Sequence, residues 1–275
     1  NGRPYQRAGR SDLIRVIEGT GRIEIEFAPR PDFGREPTRL RRLDEGLQVE
    51  GSLDPIVLRA PGVEWQLVDE GPHQRAIAEH ELTDRAVVLE LRYGLSTAQE
   101  LIVPEPRRRE QTNRFWNVWA DQLRIPPVCS ELVRRSALVL KALCYGPTGA
   151  IVAAGTTSLP EHVGGIRNWD YRYCWLRDAA MAAAALARLG STGVGTRLID
   201  WLLGILDRDE APEWFRPVYT VTGGHLSVEA EIRELPGYRG SRPVRVGNAA
   251  AQQLQLDVFG PIMALVALLA ESGAA

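Results

Sequence analysis

The hydrophobic pattern changes its period near residue 105, and this change restricts the possible folds more than any other feature of the sequence. Earlier in the chain, Gly21–Phe27 alternates apolar and charged residues, which predicts a half-buried antiparallel strand. Later in the chain, Phe115, Trp119 and Leu123 recur at the spacing of one helix face. We therefore expect a β-rich domain followed by a helical domain.

Further strands are predicted by short runs that share the pattern of Gly21–Phe27 and are separated by turn residues. These runs cover residues 13–17, 47–53, 63–68, 75–82 and 86–93. Short strands at regular spacing predict a β-sandwich. We interpret Trp65 as part of the sandwich core, with ligand stacking as the alternative, and Glu24, Glu26 and Glu50 as charges on a solvated face.

The helical region begins with a predicted linker. Residues 107–110, Arg-Arg-Arg-Glu, are interpreted as a solvated hinge, and Pro126 with Pro127 ends the helix that follows it. The chain is thereby divided into a β-sandwich domain at 1–105, a linker helix at 106–128 and a helical domain at 129–275.

Helical spacing and turn residues predict further helices joined by long loops. The predicted helices cover residues 131–145, 179–189, 195–206 and 249–270. We expect the last one to be buried on most sides and kinked at Pro261, because proline lacks the backbone N–H that a helix interior needs. The loop at 207–246 contains the rings of Trp214, Phe215 and Tyr219, so we expect it to be ordered and functional.

Residues 169–178 concentrate the chemistry of the chain. Their sequence is Trp-Asp-Tyr-Arg-Tyr-Cys-Trp-Leu-Arg-Asp, and an alanine-rich helix follows directly. Aromatic rings cover the C–H faces of a sugar, while Arg donors and Asp acceptors saturate its hydroxyls. In the alternative interpretation, Arg177 and Asp178 pair at a helix start while the rings belong to the core.

Composition excludes several other classes of function. The 33 basic residues are scattered among 35 acidic ones, so we expect no nucleic-acid partner. No apolar run is long enough to span a bilayer, so we expect no membrane partner. Carboxylates and histidines show no metal-ligand spacing, and His162 is interpreted as a loop residue, so neither metal nor cofactor is expected.

The three cysteines predict the cellular compartment, and the first residues predict where the chain begins within a longer protein. Cys129 and Cys144 fall at opposite ends of one predicted helix, too far apart for a disulfide, so we expect a reducing cytoplasm. The chain starts at Asn1 without an initiator Met or the apolar stretch of a signal peptide. We therefore expect it to begin inside a longer protein.

The pattern Tyr171-x-Tyr173-x-Trp175-x-Arg177-Asp178 resembles the signature of glycoside hydrolase family 15, the glucoamylases and their bacterial trehalase-like relatives. Residues 136–143, 156–161 and 237–250 resemble the bacterial branch and occur in the same order. The resemblance implies an N-terminal β-sandwich joined by a linker helix to an (α/α)6 barrel.

The resemblance also implies a function, the inverting hydrolysis of α-glucosidic bonds from a non-reducing end. Carried over to this chain, Arg177 and Asp178 would hold hydroxyls of the terminal glucose, and Tyr171 and Trp175 would line the same pocket. Arg242 would be a further sugar contact. The implied substrate is an α-glucoside, either trehalose or a short α-glucan, and the sequence leaves this choice and the oligomeric state open.

Inverting hydrolysis needs two carboxyl groups roughly 6.5–9.5 Å apart, one as general acid and one as general base. The family places both later than Ala275, so we expect an internal fragment with part of the sandwich and an incomplete barrel, whose catalytic residues are unknown. Glu229, Glu231 and Glu234 are disfavoured substitutes. The alternatives are a non-catalytic, truncated sugar-binding fragment and, ranked lower, a glycoside phosphorylase.

Overall fold

The computed structural model describes residues 11–99, 101, 103–208 and 215–273. The chain divides into a first compact unit that ends at Glu110 and a second that begins at Gln111. Trp214, one of the rings in the predicted functional loop, lies outside the described residues.

Two antiparallel sheets form the first unit. The larger sheet has the strand order β1 (Ser11–Ile17), β8 (Val87–Tyr93), β5 (Ile56–Arg59), β4 (Gly46–Glu50) and β3 (Arg39–Leu43). The smaller sheet has the order β2 (Gly21–Phe27), β7 (His73–Leu82) and β6 (Gln66–Glu70). Apolar side chains of both sheets share one core, which makes this unit a β-sandwich.

The alternation of apolar and charged residues correctly predicted which face of β2 is buried. Ile25 is buried in the core, whereas the neighbouring Glu26 is exposed and pairs with Arg75 at 3.1 Å. Trp65 is 6% exposed and belongs to the core, which confirms its interpretation as a core residue. The larger sheet also contains β3 and β5, which the sequence analysis did not predict.

The interpretation of residues 107–110 as a solvated hinge was wrong about the hinge and about Arg108, although Arg107, Arg109 and Glu110 are exposed. These residues lie in helix α1 (Glu105–Asp121), and Arg108 is 2% exposed. Its Nη2 lies 2.7 Å from Oε1 of Glu90, a buried carboxylate of β8. Glu90 also accepts from Arg92 at 2.8 Å, so Arg108 and Arg92 neutralise an internal charge, whereas Arg107 and Arg109 face water.

Helices make up most of the regular secondary structure of the second unit. Within the described ranges it contains α2 (Ser130–Ala142), α3 (Leu176–Arg188), α4 (Thr192–Leu206) and α5 (Phe259–Glu271). Helix α3 packs against both α4 and α5, and alanines such as Ala179, Ala180 and Ala183 form its buried face. Because alanine has little side-chain bulk, the neighbouring helices approach closely. The closed (α/α)6 barrel stays a prediction.

Short two-stranded ladders fix the loops between these helices. In the first, β9 (Cys174–Trp175) pairs with β10 (Val218–Tyr219), and in the second, β11 (Ala230–Ile232) pairs with β12 (Val244–Val246). The prediction that the 207–246 loop is ordered is therefore confirmed for the described residues in these ladders, and its functional role stays a prediction.

The predicted helix at 249–270 was wrong in its first half. Short 3₁₀ turns occupy Ala249–Gln252 and Leu256–Val258, and α5 begins only at Phe259. Pro261 therefore lies in the first turn, as the third helical residue, where backbone N–H groups have no helical partner, so it does not kink the helix. The helix is also less buried than expected, since Met263 is 63% exposed.

None of the described helices combines the length and the apolar character needed to cross a membrane.

Candidate functional site

A cleft of about 380 Å³ lies in the second unit. Its lining combines the segment at 169–178 with later loops. The described lining residues are Ala153, Trp169, Tyr171, Trp175, Arg177, Asp178, Glu229, Asn248, Ala249, Ala250 and Gln253. Tyr171, Trp175, Arg177 and Asp178, four of the five predicted substrate contacts, therefore meet at one cavity.

The start of α3 positions the predicted sugar contacts. Trp175 is the N-cap residue, and Arg177 and Asp178 lie in the first turn, where the helix dipole favours a negative charge. The backbone before this turn is fixed, because Cys174 is fully buried in β9 and the N–H of Leu176 donates to the carbonyl of Pro217 at 3.0 Å. The side chains thus project from a rigid base.

Arg177 lies between two carboxylates. Its guanidinium donates to Asp257 at 2.5 Å and lies 3.5 Å from Asp178. The hydrogen bond to Asp257 has the largest effect on the pKa of Arg177 and raises it; burial lowers this pKa by less, and the charges of Asp178 and Asp257 raise it further. The side chain of Asp178 stays 48% exposed, so its carboxylate is accessible to a ligand.

Tyr171 supplies a ring and a hydroxyl to the cleft. Burial raises the pKa of Tyr171, and the charges of Glu161 and Asp178 add to this shift. The hydroxyl therefore keeps its proton at neutral pH and serves as a hydrogen-bond donor. Burial also raises the pKa of the Cys174 thiol to about 12, which leaves it protonated and unsuited to nucleophilic chemistry.

Asp170 joins the predicted segment to a later loop, and the sequence analysis missed this role. Its buried carboxylate accepts from Nε and Nη2 of Arg172 at 2.9 and 2.8 Å and from the N–H of Gly247 at 3.1 Å. Gly247 precedes Asn248, which lines the cleft. The pKa of Arg172 is raised chiefly by its hydrogen bond to Asp170.

A second connection centres on Arg245, which the sequence analysis did not single out. Its guanidinium carbon lies 4.7 Å from the ring centroid of Trp169, and its Nε lies 3.3 Å from Oε1 of Glu229. Both partners line the cleft. The available signal was the position of Arg245 inside the 237–250 stretch, but which ring and carboxylate it meets depends on contacts between distant segments.

Arg242, the fifth predicted sugar contact, is exposed and is not among the described residues that line the cleft. Its loop is nevertheless well defined, because the Oγ of neighbouring Ser241 accepts from the N–H of Gly164 at 2.8 Å. Gly237 at the base of the loop has φ 72°, and an added Cβ would lie 1.8 Å from the carbonyl oxygen of Ser241. The sugar contact assigned to Arg242 stays a prediction.

The three glutamates weighed as substitute catalysts separate in the structure. Glu229 lines the cleft, whereas Glu231 and Glu234 are exposed and are not among its described lining residues. Glu229, with Asn248 and Ala249, also borders a neighbouring cavity of about 540 Å³ whose lining includes Arg216 and His225. Within the described ranges, no group of three or more His, Cys, Asp or Glu side chains is arranged to hold a metal ion.

Two family models match the chain. One, described as "Trehalase-like, N-terminal", matches residues 3–116. The other, described as "Glycosyl hydrolases family 15", matches residues 127–275, which include every described residue that lines the cleft.

Curated relatives match the same sequence. A trehalase of Thermoplasma acidophilum is 34% identical over 95% of this chain and 44% of its own length. Trehalase 1 of Sulfolobus acidocaldarius is 33% identical over 92% of this chain and 43% of its own length. A trehalase of Mycobacterium tuberculosis is 41% identical over 56% of this chain and 23% of its own length. The chain thus spans less than half the length of these relatives.

Proposed function

Because this chain belongs to glycosyl hydrolase family 15, we propose that its cleft binds the terminal glucosyl unit of an α-glucoside and that the complete protein hydrolyses the adjoining bond with inversion. The observation that carries the proposal is the meeting of Tyr171, Trp175, Arg177 and Asp178 at one cavity. Trehalose is the favoured substrate, since the relatives with the matching sequence are trehalases.

Each of these side chains has a distinct task in the proposal. The rings of Trp175 and Tyr171 cover the apolar faces of the glucosyl unit. Asp178 accepts from its hydroxyls, and Arg177 donates to their oxygens as a permanently charged group. Asp257 is a positioning residue, because its contact with the guanidinium fixes the direction of Arg177.

The stereochemistry of the products tests the reaction type. Both anomeric carbons of trehalose are α, so an inverting enzyme releases one β-glucose and one α-glucose from each molecule, whereas a retaining enzyme releases two α-glucoses. We expect proton NMR of the complete protein with trehalose to show equal amounts of both anomers before mutarotation. Two α-glucoses, or no release from trehalose, maltose or isomaltose, would contradict hydrolysis with inversion.

A second candidate function is sugar binding without catalysis. The same NMR spectra distinguish it from hydrolysis, because they show whether glucose is released. It is favoured by the pairing of both described cleft carboxylates, Asp178 with Arg177 and Glu229 with Arg245. Saturable binding of trehalose without release of glucose would support this candidate. Release of a glucose phosphate only when phosphate is added would instead identify a phosphorylase.

A further inference from the structure

Glu229 brings a second carboxylate to the cleft from a part of the chain remote from Asp178. It precedes β11 and lines the cleft together with Asn248 and Ala249. Its side chain is 20% exposed, so it is largely enclosed but accessible from the cavity. The same residue borders the neighbouring cavity, which places it at the boundary between two spaces.

Both oxygens of this carboxylate are held in place. Oε1 lies 3.3 Å from Nε of Arg245, and Oε2 accepts from the N–H of Ala249 at 3.2 Å. A carboxylate offers about four acceptor positions, so these two contacts leave capacity for further donors. Because its orientation is fixed before a ligand arrives, the group loses little conformational freedom on binding.

Arg245 is itself held by the surrounding loops. Its guanidinium stacks on Trp169 at 4.7 Å, and its Nη1 donates to the carbonyl of Ile166 at 3.0 Å. Its backbone N–H donates to Oγ of Ser158 at 2.7 Å. The position of Arg245, and through it that of Glu229, is thus set by three independent contacts.

We infer that Glu229 accepts a hydrogen bond from a hydroxyl group of the bound α-glucoside, and that Arg245 is the positioning residue that aims it. Glu229 is thereby a determinant of sugar specificity in addition to Asp178. The inference rests on the proposed function, since it requires an α-glucoside in the cleft.

Titration of the complete protein with methyl α-glucoside and its four monodeoxy analogues tests the inference. For the E229Q variant we expect affinity for the parent sugar to fall about 10- to 100-fold, the range of a hydrogen bond to a charged group. The wild type should discriminate by a similar factor against the one analogue that lacks the bonded hydroxyl. E229Q, whose amide oxygen accepts only a neutral hydrogen bond, should discriminate against that analogue by a smaller factor than the wild type does.

Glu231 provides the matched control. It lies 3.6 Å from the same guanidinium but is 46% exposed and is not among the described lining residues, so E231Q should bind every sugar as the wild type does. R245Q should reproduce the loss of discrimination. The double variant E229Q/R245Q should bind the parent sugar as tightly as E229Q alone, because the two substitutions remove the same interaction.

The outcomes separate this inference from the function on which it rests. If the wild type binds no α-glucoside, the proposed function fails. If the wild type binds but E229Q leaves affinity unchanged, or weakens the parent and all four analogues by one common factor, Glu229 contacts no hydroxyl and the inference alone is overturned.

Discussion

Among single residues, Asp178 carries the largest expected effect on the reaction. In the complete protein, D178A should lower kcat/KM for trehalose by about a hundredfold or more, because the sugar hydroxyls and Arg177 would lose a shared partner. Steady-state kinetics measures this loss. The control is D200A, an exposed aspartate of α4, for which kinetics should be unchanged. Turnover by D178A near the wild-type rate would reject its assignment as a substrate contact.

Asp170 is expected to stabilise the fold rather than to contact the sugar. D170A should lower the free energy of unfolding by about 3 kcal/mol, since it removes the buried carboxylate that binds the N–H of Gly247 and the guanidinium of Arg172. Urea unfolding measures the change. D207A, at an exposed aspartate, should stay within about 0.5 kcal/mol of the wild type. Equal effects of the two substitutions would show that Asp170 does not join the loops.

At the scale of single residues, the sequence analysis found the site residues that are adjacent in the chain and missed contacts between distant segments. Trp175, Arg177 and Asp178 are neighbours in the chain, so one short pattern was sufficient to find them. The contact between Arg245 and Trp169 joins segments 76 residues apart (245 − 169), and no local pattern specifies which loop approaches which.

Among the elements, the junction of β8 with the start of α1 depends on an internal charge. Burial acts to raise the pKa of Glu90, but hydrogen bonds and charges from Arg108 and Arg92 outweigh it and hold this pKa below the ordinary 4.5. The ionised carboxylate therefore stabilises the folded chain above pH 4.5, and this contribution is lost as pH falls through the lowered pKa.

Replacement of Glu90 should remove both the stabilisation at neutral pH and its loss at acidic pH. E90Q should lower the free energy of unfolding at neutral pH by about 3–5 kcal/mol, because Arg92 and Arg108 lose the buried carboxylate that they share. The loss of stability of the wild type below pH 4.5 should be shallower in the variant. Urea unfolding across pH measures both. E50Q is the control, since Glu50 pairs with Arg41 in solvent, and an equal cost there would contradict the account.

Helix α3 depends on the small size of its buried face. Ala183 is fully buried, so A183L should overpack the contacts with α4 and α5 and cost about 1–3 kcal/mol in thermal or urea unfolding. M181L, at a side chain that is 59% exposed on the same helix, should be nearly neutral. If A183L is as stable as M181L, the close approach of these helices is not set by alanine.

The elements were predictable where periodicity is strong. Gly21–Phe27 was predicted to the residue, because its alternation matches a strand with one buried face. Strand β3 (Arg39–Leu43) was missed because three of its five residues are arginines, and α5 was misplaced because Pro261 was interpreted as a kink inside a longer helix rather than as part of a first turn.

For the whole molecule, the order of a β-sandwich followed by helices was predictable, since a change of hydrophobic period is a property of the sequence alone. Closure of the helices into a barrel depends on pairings among remote elements, and it stays a prediction. The cleft lies within the second unit, in residues 153–253, so the proposed binding of glucose is a property of that unit.

The most direct test of this account is a crystal structure of the complete protein with bound glucose. We expect the sugar ring in the cleft against Trp175 and Tyr171, with its hydroxyls within about 2.7–3.2 Å of Arg177 and Asp178. Glucose bound elsewhere at saturating concentration, with this cleft empty, would contradict the central claim.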